Sequence, residues 1–232
     1  MRELPGDNKT ILRLCAIEGL LFISLLSIAF RNDHTGRAII GMTWGIILFW
    51  VVLAGGLMYR YQAALTAAIH RIPASPRVQF VLVATVLALL EEVVTTAMSN
   101  LGPLFGVDRG EVMVTASTNY FEVVFGHSVI IFVPMFIVWS WLMSRYDIRP
   151  SLALLLFGIT GTLAETVSFG PQMLLGMGFW VFVYGLMIYL PAIAFRRETV
   201  QQRRLRFFTP VTVILPLLAS VPVALVVLIL RS

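Results

Sequence analysis

The chain has 232 residues, 59% of them hydrophobic and only 12% charged, with a mean hydropathy of +0.90 and a formal net charge of +5. Soluble domains carry roughly 25% charged and 45–50% apolar residues, so a soluble fold of this length cannot hide so much apolar surface, whereas a bilayer can solvate it. The basic residues sit in short loops between apolar runs rather than in one patch, which argues against nucleic acid as a partner and for a single integral membrane domain over residues 1–232.

Seven apolar runs predict an all-α, polytopic bundle of seven transmembrane helices, each about 20 residues or longer and so able to cross a hydrocarbon core of roughly 30 Å. The first, Ile11–Phe30, holds Cys15, the only cysteine, and Glu18. Its length and its mixed flanking charges (Arg2, Glu3, Asp7, Lys9, Arg13) are those of a retained helix rather than a cleaved signal peptide. The second, Ala38–Met58, carries Gly41-x-x-x-Gly45, a spacing that lets another helix approach closely. Tyr61–Ile72 predicts a short helix lying on the membrane surface, stopped by Pro73 and Pro76.

The third run, Gln79–Asn100, contains adjacent Glu91 and Glu92, with Thr95, Thr96 and Ser99 following on a broad face. Leu101–Thr118, with Gly102, Pro103, Gly106 and Gly110, is long enough for a re-entrant turn or a lid, or is simply a loop. The fourth run, Tyr120–Met143, reads as one continuous helix carrying Glu122 and His127; Asn119, three residues before Glu122, fits an N-cap with a reciprocal glutamate. The fifth, Ser151–Gly170, carries Gly158 and Gly161 for packing and Thr162, Glu165 and Ser168 as a polar stripe. The sixth, Met173–Phe195, and the seventh, Phe207–Leu230, contain Pro191, Pro210, Pro216 and Pro222, which membrane helices tolerate.

Orientation follows from the Lys and Arg of alternate loops. Thirteen fall on the side of the amino terminus and four on the other, which places the amino terminus in the cytoplasm and the carboxyl terminus outside, in a multi-pass protein of the cell membrane.

The informative chemistry is the set of ionisable residues inside the runs. A charge at the bilayer centre costs roughly 2.5–3.5 kcal/mol on insertion scales, and no Lys or Arg lies deep in a run to offset the carboxylates. Given the orientation, Glu91 and Glu92, Glu122 and His127, and Glu165 come from three helices at similar depth in the outer leaflet. One reading is a catalytic group of Glu91, Glu92, His127 and Glu165 that activates water and hydrolyses a peptide or lipid substrate reached from that leaflet, either as general acid and base or through a divalent metal (zinc, iron or manganese) held by Glu92, Glu122, His127 and Glu165. A second is a proton- or cation-coupled transporter, for which a polar path would continue through Glu18, Thr43 or Ser140. A third is a non-catalytic subunit or assembly factor whose carboxylates merely bond helices together. Adjacent Glu91 and Glu92 stand about 100° apart on a helix, so only one is expected to face the site. Retinal is excluded because the only lysine, Lys9, precedes the first run, and a paired-histidine haem because only His127 lies within a run.

Glu91-Glu92 on one helix followed by His127 on the next resembles the CAAX-protease and bacteriocin-processing family of intramembrane glutamate proteases. That pattern runs Glu-Glu-x-x-x-Arg, then Phe-x-x-x-His, then a later helix with histidine and asparagine or aspartate. Here Thr96 stands where the arginine would be, Val123 stands four before His127 with Phe121 and Phe125 to either side, and no later run supplies a histidine. The resemblance covers about 40 residues and rests on three; it implies a membrane-embedded hydrolase in which a glutamate activates water.

The orientation is testable with single cysteines in a Cys15→Ser background. Asp108→Cys should react with an impermeant maleimide on intact cells and Ala74→Cys only after permeabilisation; the reverse pattern would invert the bundle.

Overall fold

The structure, a computed structural model, describes residues 7–195, 203–204 and 210–231. The described residues form ten α-helices. Helix α1 spans Asp7–Ala29. Helix α2 (His34–Ile46) continues through a π-helical stretch, Ile47–Ala54, into α3 (Gly55–Arg60). The short α4 (Gln62–Ile69) is followed by α5 (Pro76–Asn100), α6 (Tyr120–Gly126), α7 (Val129–Arg145), α8 (Pro150–Phe169), α9 (Met177–Ala194) and α10 (Pro210–Arg231). Six spans are long and apolar enough to cross a membrane, or seven if α6 and α7 count as one broken span, as expected of a multi-pass membrane protein. Among the described residues the strands are two-residue segments, Tyr146–Asp147 paired in parallel with Arg203–Arg204. Arg2, Arg196, Arg197 and Arg206 of the charge count, and Phe207–Thr209 of the seventh run, lie outside the described residues.

The boundaries match the apolar runs to within a few residues, and local chemistry explains them. Asp33 caps α2 by accepting from the Gly36 amide at 2.8 Å. Ser75 caps α5 with Pro76 at its first position. The expected surface helix is α4, ending at Ile69 before Pro73; His70 fastens it to α9 through a 2.7 Å bond between Nε2 and the Ala194 carbonyl.

One span departs from expectation. Tyr120–Met143 is not continuous: α6 and α7 are bent by 45° at His127–Ser128. The Val123 carbonyl accepts from the amides of both His127 (3.0 Å) and Ser128 (2.9 Å), which closes α6 and leaves both residues with non-helical backbone angles. Pro134, inside α7, is not the cause, since a proline disturbs the turn just before it and the break lies a turn further back.

Helix α9 is the centre of the bundle, packing against α8, α5, α1 and α4. Glycines let the backbones meet. A side chain on Gly158 or Gly185 would strike the backbone of Val181 or Leu154 in the facing helix, and one at Gly19 would come within 2.7 Å of the Phe179 amide nitrogen. Gly158 therefore packs helices as its spacing suggested. Gly41 and Gly45 do not meet a helix backbone; they make room for the side chains of Phe105 and Met98. At the same crossing as Gly19, Glu18 accepts from the Gly178 amide at 2.6 Å, so a carboxylate of α1 caps the first turn of α9, which has no acidic residue of its own. In the π-helical stretch, buried Trp50 donates to the Val183 carbonyl at 2.9 Å.

Gly158→Val should lower the unfolding temperature in detergent by several degrees, because overpacking costs roughly 1–3 kcal/mol. Gly56→Val, where an added Cβ meets nothing within 4 Å, should leave it nearly unchanged. Equal effects would remove the α8–α9 contact as the reason for Gly158.

Candidate functional site

Helix α5 carries its polar residues inward: Glu91, Glu92, Thr95, Thr96 and Ser99 are all buried, and Glu91 and Glu92 are the only acidic or basic residues in the buried class among those described. They are satisfied by hydroxyls. Thr95 Oγ1 donates to Glu92 Oε2 at 3.0 Å and Thr115 Oγ1 donates to the same oxygen at 3.4 Å. Ser128 and Glu91 also face Glu92 within hydrogen-bonding reach of its carboxyl group. Both glutamates line the one cavity, although helical geometry sets them about 100° apart. Their Cβ atoms diverge, but three rotatable bonds bring the carboxyl groups back together.

Each hydroxyl arrives by a different feature of the fold. Ser128 stands in the α6–α7 break. Thr115 belongs to the 101–118 connection, which folds back over the bundle: Ser99 Oγ accepts from the Val114 amide at 3.1 Å, Asn100 Nδ2 donates to the Thr118 carbonyl at 2.9 Å, and Arg109 Nε donates to Asn100 Oδ1 at 2.6 Å. The segment, with a 3-10 turn at Gly102–Phe105, covers this end of α5 in the manner of a lid. Glu165, on the last turns of α8, is hydrogen-bonded by Tyr184 of α9. Gly161, one turn before Glu165, is where the Tyr184 ring crosses α8, and any side chain there would occupy the ring's place.

These groups line one cavity of about 490 Å³. Glu91, Glu92 and Thr95 face it from α5, His127 and Ser128 from the break, Thr115 from the lid and Glu165 from α8. Phe179, Trp180 and Tyr184 of α9 form an aromatic wall, with Trp180 and Tyr184 stacked 5.7 Å apart. Ile39 and Ile46 of α2 and Ala224, Val227 and Leu228 of α10 complete an apolar perimeter. Every span except α1 contributes a lining residue, each from the half nearer the 101–118 lid.

Toward the arginine-rich end the bundle is packed shut. Phe132, Phe136 and Trp139 of α7 surround Phe157 of α8 at centroid distances of 6.2, 5.5 and 6.1 Å, all four buried, and Phe132 touches Tyr184 at 5.6 Å. Buried hydroxyls on that side bond within their own helices: Ser140 to the Ile137 carbonyl and Thr160 to the Leu156 carbonyl.

The structure thus brings Glu91, Glu92, His127 and Glu165 to one cavity, with His127 exposed at its rim. It does not bring Glu122 there. Asn119 Oδ1 accepts from the Phe121 and Glu122 amides, Ser117 Oγ accepts from the Asn119 amide, and Ser117 donates to Glu122 Oε2 at 2.7 Å, so Glu122 completes the cap of α6 through a serine. Among the described residues no three His, Cys, Asp or Glu side chains stand close enough to hold a metal ion, so the expected ligand set Glu92, Glu122, His127 and Glu165 is not assembled. The side chain of Ser168 lies outside the description. Sequence reasoning missed Tyr184, Ser128 and Thr115. The signal for Tyr184 was a tyrosine in mid-span, whose hydroxyl needs a partner where there is no water.

No family model, curated protein or solved structure matches this chain.

Removing the acceptor that seats the lid should loosen it. Ser99→Ala should speed amide exchange over residues 113–116 about tenfold, the equivalent of roughly 1.4 kcal/mol, with no change in α9. Unchanged exchange would show that the lid is held elsewhere.

Proposed function

We propose that this chain is a membrane-embedded hydrolase of the cell membrane in which Glu92 and Glu165 act as general base and general acid on a substrate that enters from the outer leaflet. The observation that carries this reading is the cavity itself: carboxyl groups from two spans, hydrogen-bonded by hydroxyls and a tyrosine, lined by the 101–118 connection on one side and backed by packed aromatic rings on the other. With the amino terminus in the cytoplasm, the lid end is the outer end.

In this reading one carboxylate takes a proton from water as the water oxygen attacks the substrate carbonyl carbon. The other gives its proton to the leaving nitrogen or oxygen as the bond to carbon breaks, so the pair is reset by one proton exchange. Glu92, held by Thr95, Thr115 and Ser128, is oriented as the base; Glu165, with Tyr184 beside it, is the acid. Glu91 passes protons to and from Glu92, and His127 at the rim meets the substrate. The lid and the aromatic wall exclude bulk water, which strengthens each of these interactions. No Lys or Arg lines the cavity, so the reacting part of the substrate is neutral or cationic. The glutamate pair and histidine of the protease-like pattern fit this chemistry, and general acid–base action needs no metal.

A transporter needs a polar route onward; of its expected members Thr43 lines the cavity and donates to the Ile39 carbonyl of its own helix, while Glu18 accepts from the Gly178 amide and Ser140 donates to the Ile137 carbonyl.

The test uses purified protein in nanodiscs, in ¹⁸O-water, with two probes: a fluorogenic phosphocholine lipid and a quenched transmembrane peptide. One of them should yield product carrying one ¹⁸O. Glu92→Gln and Glu165→Gln should each cut that rate at least a hundredfold, consistent with general acid–base contributions of about 10²–10⁴, while Glu122→Gln should not. Full activity in both variants would contradict the proposal. So would a proton flux in liposomes that the same two variants abolish.

A further inference from the structure

A second cavity, of about 380 Å³, lies at the arginine-rich end and is apolar throughout. It is a groove between α4, α5 and α9, walled by Leu65, Ala68 and Ile69 from the surface helix, Leu82 and Val86 from α5, and Leu190 from α9. Leu82 and Val86 are about half exposed, so the groove opens on the outward face of the bundle rather than into its core. Along α5 its lining runs from about 8 to 15 Å past Arg77 at 1.5 Å per residue, the direction an acyl chain takes from a headgroup at the surface. The groove's upper edge is fixed: His70 holds α4 to the Ala194 carbonyl, and Gln79 Nε2 donates to the Ile72 carbonyl at 2.8 Å.

Charge identifies what fills it. Arg60 precedes α4, Arg71 follows it and Arg77 lies in the first turn of α5; all three are exposed. Arg60 stacks over the Tyr61 ring at 5.5 Å. Between Asp33 and Glu91 the sequence contains no acidic residue, so Arg71, next to the groove-lining Ile72, and Arg77, five residues before the groove-lining Leu82, stand at the arginine-rich end of the groove in a stretch with no carboxylate of its own to neutralise them. Any lipid covers an apolar groove in a membrane, but guanidinium groups at that end select a headgroup whose phosphate is not balanced by a cation.

We propose that this groove is a binding site for one anionic phospholipid, an acyl chain lying between α4 and α5 and the headgroup phosphate held by Arg71 and Arg77. The site is separate from the carboxylate cavity and does not depend on its chemistry. Arginines that only set orientation during insertion would need no such lipid, and the two roles are separable after the protein is folded.

The test is native mass spectrometry of the full chain in detergent with palmitoyl-oleoyl phosphatidylglycerol or the matching phosphatidylcholine. One phosphatidylglycerol should be retained, at least tenfold in preference to phosphatidylcholine. The double variant Arg71→Gln, Arg77→Gln should reduce it to the phosphatidylcholine level. Val86→Trp and Ala68→Trp, each filling the groove from an outward-facing position, should weaken phosphatidylglycerol binding tenfold with the arginines in place. Equal binding of the two lipids, or phosphatidylglycerol binding that survives both tryptophan variants, would overturn the proposal.

Discussion

A carboxyl group taken into an apolar bundle must find hydrogen-bond partners there, and no Lys or Arg lines the cavity that holds Glu91, Glu92 and Glu165. Much of the irregular architecture around the cavity answers that demand. The break between α6 and α7 gives up helical continuity and supplies the Ser128 hydroxyl. The 101–118 connection folds inward rather than away, bringing Thr115 to Glu92. Gly161 gives α8 a gap through which Tyr184 reaches Glu165. Glu18 follows the same rule at another crossing, where its partner is the exposed amide end of α9.

The two ends of the bundle are consequently unlike. At one end polar groups from α5, α8, α9 and the helix break share a cavity; at the other, phenylalanine and tryptophan rings interlock and the surface carries arginine. A buried polar network of this kind is stable only when nearly every member is paired, so it sits beside a packed aromatic layer that keeps its geometry fixed. Close backbone contacts at Gly158 and Gly185 hold α8 and α9 in the register that the Glu165–Tyr184 bond requires.

The spans were legible because hydropathy reports solvent, and the apolar runs became helical at nearly their expected limits, the fourth as two helices rather than one. That Glu91, Glu92, His127 and Glu165 come to one level was legible too, since successive spans run in opposite directions and position along each sets the level. What was not legible depends on side-chain reach and on backbone breaks. Glu91 and Glu92 were expected to part by their helical angle, yet long side chains fold back. The break at His127–Ser128 carries no proline or tandem glycine to announce it. Tyr184 was hidden among aromatic residues that usually serve as belt or core. Glu122 was drawn into the metal reading by proximity in sequence to His127, but its neighbours Asn119 and Ser117 claim it for the cap of α6.

Whether carboxyl groups from separate spans meet inside the bundle is best measured by cross-linking Glu92→Cys with Glu165→Cys in a Cys15→Ser background. A short bifunctional methanethiosulfonate should join the two cysteines within one folded chain, seen by mass spectrometry as a single bridged peptide pair. Two separately modified cysteines with no bridge, in protein whose unfolding temperature is unchanged, would contradict the account.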